Sequence, residues 1–102
     1  MKEFYITIID KIRDIYNDNV DVQVNYKGKN YIATLITLKN IQTLMENHKK
    51  SGESLNGSYF WASGSFIIRD LKIDTINAVI KEMIKEEEFF DVFEKVDEEE
   101  YE

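Results

Sequence analysis

The stretch VDVQVNYKGKNYIATLI, residues 20–36, decides the fold class. In its first half, apolar side chains at positions 20, 22, 24 and 26 alternate with polar ones, which is typical of a β-strand with one buried face. Gly28 favours a turn, and residues 30–36 are rich in the β-branched and aromatic residues expected of a partner strand. The stretch therefore predicts a β-hairpin.

Two amphipathic helices are predicted further along the chain. Thr37 has a side chain suited to an N-cap, and apolar residues then recur at helical spacing as far as His48, with an end near Lys50. Asp74 is the predicted N-cap of the second helix. Its apolar stripe is the cleanest in the sequence and consists of Ile76, Val79, Ile80, Met83 and Ile84.

The segments around these helices are less regular. Residues 51–58 (SGESLNGS) predict a surface loop, and residues 58–62 and 65–69 predict a second hairpin around a Ser63-Gly64 turn. Residues 4–17 have apolar side chains at helical spacing, so we interpret them as an amphipathic helix. A strand over residues 4–9 is the alternative, because this part is rich in aromatic and β-branched residues.

The elements together predict an α+β fold with two layers, in which an antiparallel sheet of two β-hairpins has amphipathic helices on one face. The approximate order is α-ββα-ββα, followed by a short C-terminal element. We expect residues 1–96 to form a single α+β domain and residues 97–102 to be an acidic, disordered tail.

The short C-terminal element follows from the end of the second helix. Its apolar stripe would next contain acidic residues, so a break is predicted near Glu87 or Glu88. Five apolar residues in the following eight positions are too many to leave in water, and this segment should dock on the domain. They are Phe89, Phe90, Val92, Phe93 and Val96.

Charge is distributed unevenly along the chain. Residues 1–81 carry a net charge of +2, whereas residues 82–102 carry −9. A block of one sign steers association with a surface of the opposite sign, so we expect a protein partner with a basic surface. The acidic residues assigned to this contact are Glu86, Glu87, Glu88, Asp97, Glu98, Glu99 and Glu100. Direct binding of nucleic acid is not expected, because a binder must replace the counterions of phosphates with Lys and Arg.

Tyr59, Phe60 and Trp61 are three consecutive aromatic residues in a predicted strand. In a strand, Tyr59 and Trp61 share one face and Phe60 lies on the other. Three interpretations are open for the Tyr59/Trp61 face, and a stacking platform for single-stranded nucleic acid is the least favoured, because stacking normally comes with a basic groove. We favour packing of Trp61 in the core, and the main alternative is that Tyr59 and Trp61 anchor an interface with a partner.

The sequence offers little catalytic chemistry. It has no cysteine and one histidine, His48, whose position on the apolar stripe in the last turn of its helix predicts a structural or capping role. The carboxylates lack the alternating spacing of a calcium loop. We therefore expect no enzyme activity, no cofactor and no metal. No apolar run is long enough to cross a membrane, and we expect a cytoplasmic protein without a membrane partner.

Two functional hypotheses follow. The first is a noncatalytic protein-binding module, such as an inhibitor, an antitoxin or an immunity-type protein of prokaryotic or phage origin, that engages a basic partner surface. The second is a small-molecule-binding regulatory domain with a pocket between sheet and helices, at whose mouth Tyr59, Trp61 and residues 51–58 would lie. A homodimer is compatible with either hypothesis.

Overall fold

The computed structural model describes residues 3–96, and it is a mixed α+β structure built on one sheet. Its elements, in chain order, are β1 (Phe4–Ile8), β2 (Asn19–Tyr26), β3 (Lys29–Thr37), α1 (Leu38–Ser51), α2 (Glu53–Gly57), β4 (Ser65–Ile68), α3 (Ile73–Lys85), α4 (Phe89–Val92) and β5 (Glu94–Lys95).

The sheet is built around the predicted β2–β3 hairpin. Val22 lies opposite Ala33 and Val24 opposite Tyr31, so the alternating apolar residues share one face. The turn residues Lys27 and Gly28 both have positive φ, 52° and 76°, which the tight turn of a two-residue hairpin requires. The strand order is β1-β2-β3-β4, and β5 pairs antiparallel with β3 beside β4.

One face of the sheet carries the hydrophobic core. Alternate residues of all four longer strands point to it, and α3 and α4 cover it because their apolar side chains face the same way. The helical residues buried there are Ile76, Ile80 and Met83 of α3 and Phe89 of α4. Among the described residues of α1 none is fully buried, so this helix contributes little to the core.

The predicted helix over residues 4–17 is wrong, and the alternative strand is correct. β1 pairs antiparallel with β2, and this register places Ile6 opposite Val24 and Ile8 opposite Val22. Phe4 is buried, whereas Tyr5 is exposed, which is the alternation of a strand. The helical spacing misled because Ile12 and Ile15, in the loop that follows, also pack against the core.

The predicted second hairpin is also wrong. Residues 58–62 form no strand, and β4 pairs in parallel with β3, with Leu35 opposite Phe66. A parallel pair needs a crossover of a dozen or more residues, which α1 and the segment after it supply. The amide of Thr34 extends this pairing by donating to the carbonyl oxygen of Gly64 at 2.9 Å.

Helix α3 begins slightly before the predicted N-cap at Asp74. Its N-cap is Lys72, and Asp74 lies in the first turn. The carboxylate of Asp70 accepts a hydrogen bond from the Lys72 N–H at 3.0 Å, so Asp70 satisfies an amide at the start of the helix. The Thr75 hydroxyl, the Lys72 N–H and nearby cations hold the pKa of the Asp70 carboxyl below its usual value.

The predicted break at the end of α3 is confirmed. The helix ends at Lys85, and Glu87 has a φ of 61°, outside the range of a helix. Docking of the following segment is confirmed for Phe89, Phe93 and Val96, which are buried. It is wrong for Phe90, whose side chain is 61% exposed although its ring edge lies against Tyr31.

Candidate functional site

The aromatic loop, Tyr59, Phe60 and Trp61, presents two of its three side chains to solvent. Tyr59 is 55% exposed and Trp61 is 78% exposed, whereas Phe60 is half-buried. The expectation that Trp61 lies in the core is therefore wrong. It depended on a strand over residues 58–62. Because that strand does not form, the indole is not placed on the buried face of the sheet.

The turn before the aromatic loop has an unusual backbone. Ser54, Leu55 and Asn56 have φ of 50°, 51° and 59°, so α2 is a left-handed turn in spite of its helical hydrogen bonds. Left-handed geometry costs roughly 1–2 kcal/mol for each non-glycine residue. Gly57 completes the turn with a φ of 75°, and a Cβ there would overlap the carbonyl oxygen of Met45 in α1. Close packing on α1 therefore holds the turn in place, directly before the aromatic loop.

His48 stands at the end of α1, where the sequence placed it. Its Nε2 lies 3.8 Å from the Oε2 of Glu53, and its carbonyl oxygen accepts the Gly52 N–H at 2.8 Å. Gly52 has a φ of 88°, the left-handed conformation that commonly ends a helix. These contacts join α1 to the turn after it. The Gly52 contact is made by the backbone of His48 and the Glu53 contact by its ring, whose buried Nδ1 has no hydrogen-bond partner among the described residues.

The acidic residues predicted to contact a partner fall into two groups. Glu86, Glu87 and Glu88 lie in the turn between α3 and α4, and all three are exposed. Within residues 3–96, neither of the two ion pairs involves them. Asp97, Glu98, Glu99 and Glu100 lie outside the described residues. No hydrogen bond or ion pair of the described chain joins the first group to Tyr59 or Trp61.

A surface feature that the sequence analysis missed is a groove of about 620 Å³, here called the Tyr16 groove. It is formed by three segments that are far apart in sequence: the loop before β2, the first turn of α1 and the end of β4. Its lining residues are Tyr16, Leu38, Lys39, Gln42, Ile67, Ile68 and Arg69. Since no segment contributes more than three of them, no local pattern could have marked it.

Hydrogen bonds between the three segments position the Tyr16 groove. The Ile15 carbonyl oxygen accepts the Leu71 N–H at 2.7 Å, which fixes the residue before Tyr16 against the chain after β4. The Asn40 amide group donates to Asn17 Oδ1 at 3.0 Å and accepts from Asn19 Nδ2 at 2.8 Å. The start of α1 is thereby tied to the loop that carries Tyr16.

The Tyr16 groove combines an apolar floor with a cationic rim. The side chains of Tyr16, Leu38 and Ile67 are all exposed although each is largely apolar. Arg69 is 88% exposed, and its Nε lies 3.7 Å from the buried carboxylate of Asp70.

Two lysines add positive charge at the groove: Lys39, which lines it, and Lys72, which lies over the Tyr16 ring. The Lys72 Nζ lies 5.4 Å from the centre of the Tyr16 ring, within range of a cation–π interaction. The Tyr16 hydroxyl and the Asp70 carboxylate raise the pKa of Lys72, so its charge is secure at neutral pH. Lys39 is exposed in the first turn of α1.

A second groove, of about 580 Å³, has a balanced charge. It lies between the start of β1 and α3, and it is lined by Glu3, Ala78, Lys81, Glu82, Ile84 and Lys85. Neither Tyr59 nor Trp61 lines this groove or the Tyr16 groove.

In residues 3–96, no three His, Asp or Glu side chains gather where they could coordinate a metal ion. None of the helices in that range has the length and apolar character needed to traverse a bilayer.

Comparison with protein-family models, with curated proteins and with solved structures found no match.

Proposed function

We propose that this protein is a noncatalytic protein-binding module and that the aromatic loop is its contact surface. The observation that carries the proposal is the 78% exposure of Trp61 next to the exposed Tyr59. Tyr and Trp supply most of the binding energy at many protein interfaces, because each covers a large area at a low cost in side-chain entropy. An exposed pair of them supports an interface.

The backbone that leads into the aromatic loop suits such a surface. The left-handed turn packs on α1, and the Ser58 amide and hydroxyl both donate to the Leu55 carbonyl oxygen, at 3.3 and 2.6 Å. A segment that is ordered before binding loses less entropy when a partner docks. Leu55, which is exposed in the same turn, enlarges the apolar surface beside the loop.

The expected partner has a basic surface. Glu86, Glu87 and Glu88 are exposed and have no ion pair within residues 3–96, so their charge is available for long-range attraction. The acidic residues 97–100 add to this charge. Such charges speed encounter with a basic surface more than they tighten the complex. The aromatic loop would then provide the affinity and the acidic residues the rate.

The noncatalytic part of the proposal stays an expectation from the sequence, which has one histidine and no cysteine. The one histidine of the sequence lies against Glu53 at the end of α1, where its contacts join two elements. The alternative hypothesis, a small-molecule-binding domain with Tyr59 and Trp61 at the mouth of its pocket, stays a prediction. Neither of the two grooves described above lies at the aromatic loop.

Affinity capture with matched variants tests the proposal. The full chain, the double variant Tyr59→Ala/Trp61→Ala and the control Tyr5→Ala are immobilised at low salt, and proteins bound from a lysate of the source cell are identified. Tyr5 is a matched control because it is also an exposed aromatic residue, on β1.

We expect a basic protein that binds the full chain and the control, is lost with the double variant, and is released by salt. Equal capture by all three baits would contradict the proposal. So would a captured protein without a basic surface.

A further inference from the structure

The Tyr16 groove has the properties of a site for an acidic, partly aromatic peptide segment. Lys39 and Arg69 line it, and the Lys72 Nζ lies 5.4 Å from the centre of the Tyr16 ring. The carboxylate beside Arg69, Asp70, is buried and already bonded to the start of α3. The groove therefore faces solvent with an excess of positive charge, in a chain whose net charge is −7. This rim would select an occupant of negative charge.

A segment of the required chemistry occurs in the sequence itself. Residues 97–102, DEEEYE, hold five carboxylates around Tyr101. Carboxylates would pair with the cationic rim, and a tyrosine ring would cover the apolar side chains of Leu38 and Ile67.

The topology directs this segment away from the groove of its own chain and keeps its four consecutive carboxylates, residues 97–100, out of reach of it. β5 is antiparallel to β3, and the Val96 N–H donates to the Asn30 carbonyl oxygen at 2.8 Å, so residue 97 starts at the Asn30 end of β3. The groove lies at the opposite end, beyond Thr37. The seven steps between Asn30 and Thr37 span roughly 23 Å at about 3.3 Å per residue.

A fully extended segment of six residues spans at most about 20–22 Å. Even a straight path along β3 would therefore leave residues 97–100 roughly 10 Å short of the groove. The acidic segment of a second copy is not tethered to this β5, so its length does not limit its access to the groove.

We propose that the Tyr16 groove binds the acidic segment 97–102 of a second copy of this chain. A groove on one copy receives a segment of another, so two copies can exchange segments reciprocally. The aromatic loop lines no part of this groove, but residues 97–100 belong to both proposals, so self-association would compete with the attraction of these residues to a basic partner.

Sedimentation of the full chain and two complementary full-length variants tests the proposal. The groove variant is Lys39→Glu/Arg69→Glu. The segment variant is Asp97→Asn/Glu98→Gln/Glu99→Gln/Glu100→Gln. A control, Lys81→Glu/Lys85→Glu, makes the same charge change as the groove variant at the second groove, where both lysines are exposed.

We expect the full chain to self-associate at about 20 mM salt and to dissociate at about 500 mM, where charges are screened within a few ångströms. Each of the two variants alone should self-associate at least about tenfold more weakly, since reversed or removed charges cancel several ion pairs. Mixed together, they should form a one-to-one complex, because one variant keeps the segment and the other keeps the groove. The control should behave as the full chain does.

Three results would overturn the proposal: a full chain that stays monomeric at low salt, a control that weakens association as much as the groove variant does, or a mixture that stays monomeric. Because the charge reversal at position 69 lies beside Asp70, the single variant Lys39→Glu is measured as well, with a thermal melt of each variant. Lys39→Glu should keep the melting temperature and still weaken association; unchanged association with this variant would also overturn the proposal.

Discussion

Two aromatic segments of this protein have opposite environments. Phe89 and Phe93 are 1% and 3% exposed, and their rings stack at 4.4 Å between centres with only 10° between planes. Tyr59 and Trp61 are mostly exposed, and among the described residues neither forms a stacked or edge-on pair with another aromatic ring. Aromatic content alone therefore does not place a segment in the core.

Backbone pairing explains the difference. The Phe93 N–H donates to the Phe89 carbonyl oxygen at 2.8 Å, and β5 then joins the edge of β3. These bonds hold Phe89 over the core face, where its ring meets Tyr26 and Tyr31 edge-on at 5.5 and 5.3 Å. The chain around Trp61 enters the sheet only at Ser65. Phe89 and Phe93 are therefore buried in a segment whose backbone pairs with the sheet at β5, whereas the backbone of the aromatic loop forms no such pairing within residues 3–96.

The largest effect is expected from Phe89→Ala. The substitution removes a fully buried ring that packs against the aromatic side chains of Tyr26, Tyr31 and Phe93, so the free energy of unfolding should fall by roughly 3–5 kcal/mol. Urea denaturation followed by circular dichroism measures it. A loss below about 1 kcal/mol, the typical effect of any substitution, would show that the segment after α3 does not complete the core.

A smaller loss is expected from Gly57→Ala. The added Cβ would overlap the Met45 carbonyl oxygen at a φ of 75°, and the strain should cost roughly 1–3 kcal/mol. Gly28→Ala is the matched control, since Gly28 has a φ of 76° with no atom near the added Cβ. Thermal melts of both variants separate backbone strain from the clash with α1. Equal losses in the two variants would mean that the turn before the aromatic loop does not pack closely on α1.

Acid should lower the free energy of unfolding through the Asp70 carboxylate. Its pKa is lowered in the folded state, so its contribution to stability is complete above the ordinary value of 3.8 and is lost as pH falls through the folded pKa. Asp70→Asn should therefore lower stability at neutral pH and make its decline below about pH 4 shallower. Urea denaturation from pH 2 to 7 measures this. Parallel curves for the two proteins would contradict the assignment.

The smallest effect on stability is expected from Trp61→Ala. Substitution of an exposed side chain usually changes the free energy of unfolding by about ±0.5 kcal/mol or less. Thermal melts of Trp61→Ala and Phe89→Ala compare the exposed and the buried aromatic segment directly. A loss of several kcal/mol in Trp61→Ala would place its indole in the core.

The sequence predicted the parts of the fold whose pattern is local. The β2–β3 hairpin alternates with a period of two, and the apolar stripe of α3 has a period close to 3.6 until Glu87 interrupts it. Residues 4–17 match the period of a helix and that of a strand in part. The strand forms because β1 pairs with β2. The parallel pairing of β4 and the Tyr16 groove depend on segments far apart in the sequence, which no local pattern reports.

The sequence predicts Tyr59 and Trp61 as candidate contact residues for a reason that the structure does not bear out. Their selection relied on alternation in a strand, whereas their exposure comes from the left-handed turn and from the late start of β4. The residue types do not predict the positive φ of Ser54, Leu55 and Asn56. Of the three, only asparagine is a type that is enriched at positive φ.

Trp61 is open to solvent in the free protein, and we propose that a protein partner covers it. Trp61 is the one tryptophan of the sequence, so its fluorescence reports on this position alone. Acrylamide quenching is measured in the free full chain and after addition of the partner identified by capture. We expect strong quenching in the free chain, close to that of the unfolded chain, and a blue-shifted, protected emission in the complex. Emission that is already blue-shifted and protected in the free chain, or that does not change when the partner binds, would contradict this proposal.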